Sequence, residues 1–205
     1  DDFCAIAKDL KFDGIELHNI NNRLFTDKDG AFHDYTAAKT VRKLFEQKLT
    51  LACIDVVGDI ATNSKEVLKE TEKCIEIAKN LKISFIRLRA EMCEDFEKAN
   101  KNVIAFLEKA LKIAEENNVT LLIETAGLYT NTEKLCDVLK LFASDNLGAL
   151  WNFSTCYFYG KEEPKNVIKN LGAYVKHVHF YDAVMKDGKL ERCLVGEGEL
   201  PIADM

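Results

Sequence analysis

The sequence predicts an α/β fold of the (β/α)8 barrel type, and three observations predict it. Short apolar runs of β-type residues alternate along the chain with amphipathic stretches of helical spacing. One strand-plus-helix unit recurs every ~25–35 residues, the pattern of a parallel sheet with right-handed crossovers. Polar residues gather at the C-terminal ends of several different strands, and no GxGxxG or GxxxxGK phosphate cradle follows any of them. An open doubly wound nucleotide-binding sheet carries such a cradle at one strand end, whereas a barrel collects its chemistry from many βα loops.

The elements follow in order. Residues 2–10 read as a helix with Phe3, Ile6, Ala7 and Leu10 on one face, and a strand follows at 14–18. A helix at 36–48 leads into a strand at 49–57. Ser64 stands at an N-cap position for a helix over 64–81, which runs into a strand at 83–90. A long helix at 95–117 precedes a strand at 119–125, and Thr132 reads as the N-cap of a helix over 132–143. The series closes with a strand at 148–153, a helix at 163–171 and a strand at 174–181. Asp187-Gly188, inside the polar stretch 185–192, predicts a turn or hairpin after the last strand. Only two prolines and no Gly/Ser-rich linker interrupt the pattern, so residues 1–205 read as one domain.

Composition narrows the function classes. With 47% hydrophobic and 30% charged residues in 205, the chain has apolar material for one sizeable core. No apolar run approaches the ~20 residues of a membrane helix, and no charged-then-apolar leader is present, which predicts a cytoplasmic protein without membrane association. Seven cysteines without a CxxC spacing suit a reducing compartment and read as small buried side chains. A net charge of −6, with no Lys/Arg stripe interleaved with aromatics, disfavours a nucleic-acid partner.

The strand ends carry the chemistry. They offer Glu16 and His18, Asp55, Arg87 with Arg89 and Glu91, Glu124, Asn152, and His177 with His179. Strand side chains alternate, so Glu16 and His18 share a face, as do Arg87 and Arg89, and His177 and His179. Glu16 and His18 are placed for substrate contact or for a structural hydrogen bond. Arg87 and Arg89 are suited either to substrate hydroxyls or a phosphate, or to an ion pair with Glu124 inside the barrel. Glu197 sits in a Gly-Glu-Gly turn whose glycines permit an unusual backbone path, and is a further substrate-binding candidate.

Five segments carry a family resemblance: Phe12-Asp13-Gly14-Ile15-Glu16-Leu17-His18, Leu122-Ile123-Glu124-Thr125, Trp151-Asn152, His177-Val178-His179-Phe180-Tyr181-Asp182, and Gly196-Glu197-Gly198-Glu199-Leu200-Pro201. In this order they resemble the xylose-isomerase-like TIM-barrel superfamily, and within it the sugar phosphate isomerase/epimerase group. The resemblance covers nearly the whole chain. It implies an incomplete barrel, with strands two to seven present and strands one and eight absent. By that comparison the chain stops at Ile202-Ala203-Asp204-Met205, where the next helix would start. Full barrels run to about 250 residues.

The resemblance also implies a divalent cation, Mn²⁺, Co²⁺, Mg²⁺ or Zn²⁺, held after barrel strands five, six, seven and eight. Glu124 matches the first ligand and His179 the third. Asn152 stands where an aspartate is expected, and the fourth ligand, a glutamate, lies beyond Met205. His177 is read as a supporting residue beside the His179 ligand. Thr155 occupies a position where relatives often carry histidine, and Tyr181 one where many carry lysine. The implied reaction is isomerisation or epimerisation of a small sugar, sugar phosphate or polyol, with Glu124 removing a proton beside the carbonyl and the metal stabilising the enediolate. Alternatives are a lyase or dehydratase acting on inosose- or dehydroshikimate-type substrates, and a barrel that binds ligand without catalysis, which Asn152 and Thr155 favour. Sheet edges left open by the absent strands make self-association an expectation.

Overall fold

The computed structural model of the chain describes residues 2–18, 32, 33 and 35–202. Its main sheet has six parallel strands: β1 (Gly14–Leu17), β2 (Thr50–Asp59), β3 (Phe85–Arg89), β4 (Thr120–Glu124), β5 (Leu147–Asn152) and β6 (Val175–His179). They lie side by side in sequence order, every neighbouring pair parallel. A doubly wound sheet reverses its strand order at a switch point, so this monotonic order is the wall of a barrel. The sheet curls strongly. If it were flat, β1 and β6 would be five spacings of ~4.8 Å apart, about 24 Å. Instead, Glu16 Oε2 on β1 lies 3.0 Å from His177 Nε2 and 2.9 Å from His179 Nε2 on β6.

Helices α1 (Asp2–Asp9), α2 (Ala37–Glu46), α3 (Lys65–Leu81), α4 (Phe96–Glu116), α5 (Thr132–Phe142), α6 (Phe153–Phe158) and α7 (Pro164–Leu171) make the connections. On α4 the residues Ala99, Val103, Phe106, Leu107, Ala110, Leu111 and Ala114 form one buried stripe with helical spacing. That stripe and its counterpart on α3, centred on Cys74, Ile75 and Ala78, pack against Ile54, Ile86, Leu88, Leu121 and Ile123 of the strands. Complete burial of a Phe or Leu side chain is worth roughly 1.5–3 kcal/mol, so this helix–sheet layer is the main source of cohesion. Strand alternation then turns the opposite set, Glu16, Cys53, Asp55, Arg87, Arg89, His177 and His179, towards the barrel interior.

Three local expectations are revised. Ser64 caps α3 as expected, accepting from Val67 N–H, but the α5 cap is Asn131, which accepts from Lys134 N–H. The Thr132 hydroxyl is engaged by Glu162 instead. The strand expected to reach Phe153 ends at Asn152, because the Asn152 amide caps α6 through Thr155 N–H at 3.2 Å. The last strand likewise ends at His179 rather than Tyr181.

The hairpin after it is present as β7 (Asp182–Lys186) and β8 (Lys189–Cys193), turning at Asp187 and Gly188, both with positive φ as a two-residue turn of this kind demands. The helix expected to start at 202–205 falls, beyond Ile202, outside the described residues. Exposed apolar side chains include Phe3, Ile6, Leu10 and Phe12 around α1 and Val178 and Phe180 around β6, with others such as Phe45 on α2 and Leu141 on α5. Among the described residues no helix is long and apolar enough to cross a membrane.

Candidate functional site

All six strands deliver one polar cluster to the C-terminal mouth of the sheet. Register explains its neighbours: Asp55 on β2 pairs with Arg87 on β3, and Asn152 on β5 pairs with His179 on β6. Arg87 donates from Nη1 to Asp55 Oδ2 at 2.7 Å, and from Nη2 and Nε to Glu124 Oε2 at 2.6 and 3.0 Å. The other oxygen of Glu124 accepts from Asn152 Nδ2 at 2.9 Å and faces His179 Nδ1 at 3.4 Å. Across the mouth, His177 and His179 both turn Nε2 onto Glu16 Oε2. His18 Nδ1 lies 2.6 Å from Asp55 Oδ2.

The electrostatics follow from burial opposed by partners. Burial alone would raise the Glu124 carboxyl, but the hydrogen bond from His179, the charge of Arg87 and the amide of Asn152 pull it down to about 2. Burial would lower His179, yet its hydrogen bonds to Glu124 and Glu16 push it up to about 9, so the ring is an imidazolium at neutral pH. Glu16 is held well below the usual carboxylate range against its own burial, by hydrogen bonds from His177 and His179. Asp55 goes the other way: burial, reinforced by Glu16, raises it despite Arg87 and His18. The Cys53 thiol is pushed far up by burial and by Glu16 and Asp55, so it is neutral and unsuited to act as a nucleophile.

Glu124, Asn152 and His179 therefore meet as the resemblance implies, and their oxygen and nitrogen donors suit a hard or borderline divalent cation. Asn152 presents its amide nitrogen to Glu124 while its oxygen accepts from Thr155 N–H. Ligation by Asn152 thus needs the amide turned over, and it would bring no negative charge. Thr155, in place of the histidine of relatives, donates its hydroxyl to Thr125 O at 2.7 Å and ties the start of α6 to the end of β4.

Other candidates are placed differently. Arg89 makes no contact with Glu124. Its Nη2 reaches Val57 O at 3.4 Å, and its Nε is buried with no hydrogen-bond partner. It lines a cavity of about 170 Å³ together with Arg87, Glu124, Asn152 and Thr155. That volume is below the ~300–1,000 Å³ of pockets for drug-sized ligands, so it suits a small molecule. A larger hollow of about 690 Å³ lies between α2 and α3, remote from this chemistry and lined by Val41, Phe45 and Ile77.

Glu197 is exposed and is not among the side chains that converge at the mouth. Its neighbours matter instead: the N–H groups of Gly196, Gly198, Ala183 and Leu200 all donate to the buried carboxylate of Asp182. A side chain at Gly198 would run into that carboxylate. Sequence reasoning noted Asp55 at a strand end without giving it a role, read Cys53 as a small buried side chain, which it is, and passed over the Asp182 latch. For Asp55 the signal was available, since it shares a face with Cys53 and stands opposite an arginine on the next strand.

Comparison with known proteins places the arrangement. A family model described as a xylose isomerase-like TIM barrel matches residues 4–205. Among solved structures, 3-keto-D-glucoside 4-epimerase YcjR from E. coli superposes with a TM-score of 0.76 at 14% identity, covering 98% of this chain and 78% of that one. The probable 3-DHS dehydratase AsbF from Bacillus anthracis gives 0.79 at 15%, covering 98% and 80%. The IolI protein, solved with a bound zinc atom, gives 0.78 at 16%, covering 98% and 75%. At these identities the likeness concerns the fold. No curated protein matches the chain by sequence.

Proposed function

Because the chain belongs to the xylose isomerase-like TIM-barrel family, we propose that it is a metal-dependent isomerase or epimerase that moves a proton on the carbon beside the carbonyl of a small sugar or polyol. The observation that carries this reading is the meeting of Glu124, Asn152 and His179, from three strands, beside a small cavity. A divalent cation bound by these three would supply charge stabilisation for the substrate's carbonyl and neighbouring hydroxyl oxygens.

The chain's own residues have distinct tasks. Glu124 is the proton acceptor, with Oε1 towards the substrate side and Oε2 anchored by Arg87. So strongly held a carboxylate is a weak base, and a cation bound beside it would acidify the substrate proton it has to accept. Arg89 lines the cavity and brings its guanidinium charge to a substrate oxygen there. Glu16 and His18 stand at the rim, half-buried and exposed respectively, to receive outer hydroxyls. The IolI structure with zinc and the epimerase YcjR support the choice of chemistry, and AsbF, a probable dehydratase, shares the fold. Dehydration can begin with the same proton removal, and fold does not choose between the outcomes.

One observation favours a second reading, a ligand-binding barrel without catalysis. Both ends of the Asn152 amide are already satisfied by Glu124 and Thr155, and Glu124 is neutralised by Arg87, so the cluster is self-sufficient without a metal. The deciding experiment is exchange of the substrate proton in D₂O with small ketoses, inososes and 3-dehydroshikimate, in the presence of Mn²⁺, Co²⁺, Mg²⁺ or Zn²⁺. Deuterium uptake beside the carbonyl that is lost in Glu124→Gln supports the enzyme. Saturable binding of a sugar without exchange under any metal supports the second reading.

A further inference from the structure

Glu16 makes the most unusual contacts of the described residues, and the proton-transfer role of Glu124 does not use them. Two imidazole nitrogens, His177 Nε2 at 3.0 Å and His179 Nε2 at 2.9 Å, converge on the same carboxylate oxygen. A carboxylate has two oxygens and about four acceptor positions, so hydrogen bonding alone gives no reason for both rings to crowd one of them. The rings are nearly perpendicular, at 77°, with centroids 5.6 Å apart, so they aim at a common point instead of stacking. One ligand atom from each of the three residues lies within 4.8 Å of the others. A tetrahedral ion with bonds of ~2.0–2.1 Å separates its ligand atoms by about 3.3 Å, so only small shifts are needed to admit one.

The surroundings call for positive charge at the same place. Glu16, Asp55 and Glu124 bring three carboxylates to the mouth, against the guanidinium of Arg87 and the imidazolium of His179, whose proton a bound ion would replace. Asp55 is fully buried, and its Oδ1 has no hydrogen-bond partner among the described residues. Asp55 and Cys53 form a second candidate ligand group with Glu16, again within 4.8 Å. Glu16, His177 and His179 keep about a fifth to a quarter of their side-chain surface exposed, which leaves a path for an ion and room for a fourth ligand.

We propose that Glu16, His177 and His179 form a binding site for a borderline divalent ion of the Zn²⁺ class, on the Nε2 side of His179 and distinct from the Glu124–Asn152 side that its Nδ1 faces. Two imidazoles and one carboxylate with an open fourth position suit Zn²⁺ or Co²⁺ better than Mg²⁺ or Ca²⁺, which prefer all-oxygen sets. The ion joins β1 to β6 across the mouth and presents a coordination position there.

The test is titration of chelator-treated protein with Zn²⁺ and Co²⁺, for the wild type, His177→Gln, Glu16→Gln and Glu124→Gln, each checked for folding by circular dichroism. The expected result is an ion held at this site in both wild type and Glu124→Gln, with intense visible Co²⁺ bands of a four-coordinate site. Affinity should fall more than about 100-fold in His177→Gln and in Glu16→Gln, and Zn²⁺ should raise the Tm only of forms that keep the site. Wild-type affinity in a folded His177→Gln or Glu16→Gln overturns the assignment, as does loss of all ion binding in Glu124→Gln. The outcome is separable from that of the proposed reaction: Glu124→Gln that keeps its ion, beside a wild type that never exchanges a substrate proton, removes the isomerase and leaves this site standing.

Discussion

Arg87 grips a single oxygen of Glu124 with two nitrogens, Nη2 at 2.6 Å and Nε at 3.0 Å, while its remaining nitrogen reaches Asp55 at 2.7 Å. One guanidinium thereby joins β2, β3 and β4 at the mouth, and both carboxylates it serves are almost completely buried. Removing it strands two charges in the interior, which typically costs about 3–5 kcal/mol. Arg87→Met should therefore lose about that much stability in urea unfolding, whereas Arg87→Lys, keeping the charge without the fork, should lose less. Equal stability of Arg87→Met and wild type would mean that Asp55 and Glu124 do not depend on Arg87 for their burial.

The pH dependence of the metal-free protein follows from opposite shifts at His179 and Glu124. His179 rises from 6.5 to about 9 on folding, so its contribution is fully present below pH 6.5 and is lost as pH climbs through 9. Glu124 falls from 4.5 to about 2, so its contribution is present above pH 4.5 and disappears as pH drops towards 2. Asp55, raised by burial, works against Glu124 on the acid side. The expected curve has its plateau at about pH 4.5–6.5 and declines towards pH 9, and the imidazole NMR signal of His179 should titrate near the upper limit. A metal ion must displace that proton, so binding near pH 7 should release about one proton, read by calorimetry in buffers of different ionisation enthalpy.

Asn152→Asp reverses the departure from the family's aspartate and has two opposed effects. It replaces the Nδ2 donor of Glu124 with a second carboxylate at 2.9 Å separation, which should lower the Tm of the metal-free protein. It also adds a charged oxygen ligand, so Mn²⁺ or Zn²⁺ should raise the Tm of the variant more than that of the wild type. A variant whose Tm responds to both ions no more than the wild type does would show that the Asn152 side of His179 does not bind metal.

The Asp182 carboxylate receives four backbone N–H groups, and burial would raise it but for the donors of Gly198, Gly196, Ala183 and Leu200, which lower it. Asp182→Ala should leave those donors without their acceptor and speed hydrogen exchange at the amides of Gly196, Gly198 and Leu200, with little change in β2 to β5. Gly198→Ala should have the same local signature, because its new methyl group meets the Asp182 carboxylate. Uniform acceleration across the sheet in either variant would mean that the loop is part of the core and not a latch.

Element type and order were legible in the sequence because they depend on periodicity. Every expected strand and helix of the series is present, since alternation of two and stripes of 3.6 residues are local properties of the chain. Where two readings competed within a few residues, context decided: Asn131 rather than Thr132 caps α5, and Asn152 ends its strand by capping α6. Family resemblance brought out Glu124, Asn152 and His179, and strand alternation put Glu16 and His18 on one face at a strand end without saying which face is inward.

The sequence by itself determined a parallel βα series with its polar residues at the strand ends, because side-chain alternation and helix amphipathicity are written within a few residues of each position. Only the tertiary structure decided which of those polar groups meet. The curl of the sheet brings Glu16 from the first strand onto His177 and His179 of the last, a contact across 161 and 163 residues of sequence, and gives Arg87 to both Asp55 and Glu124 while leaving Arg89 to the cavity. Pairing at that range depends on sheet curvature and register, which sum over every strand between, and no local pattern encodes the sum.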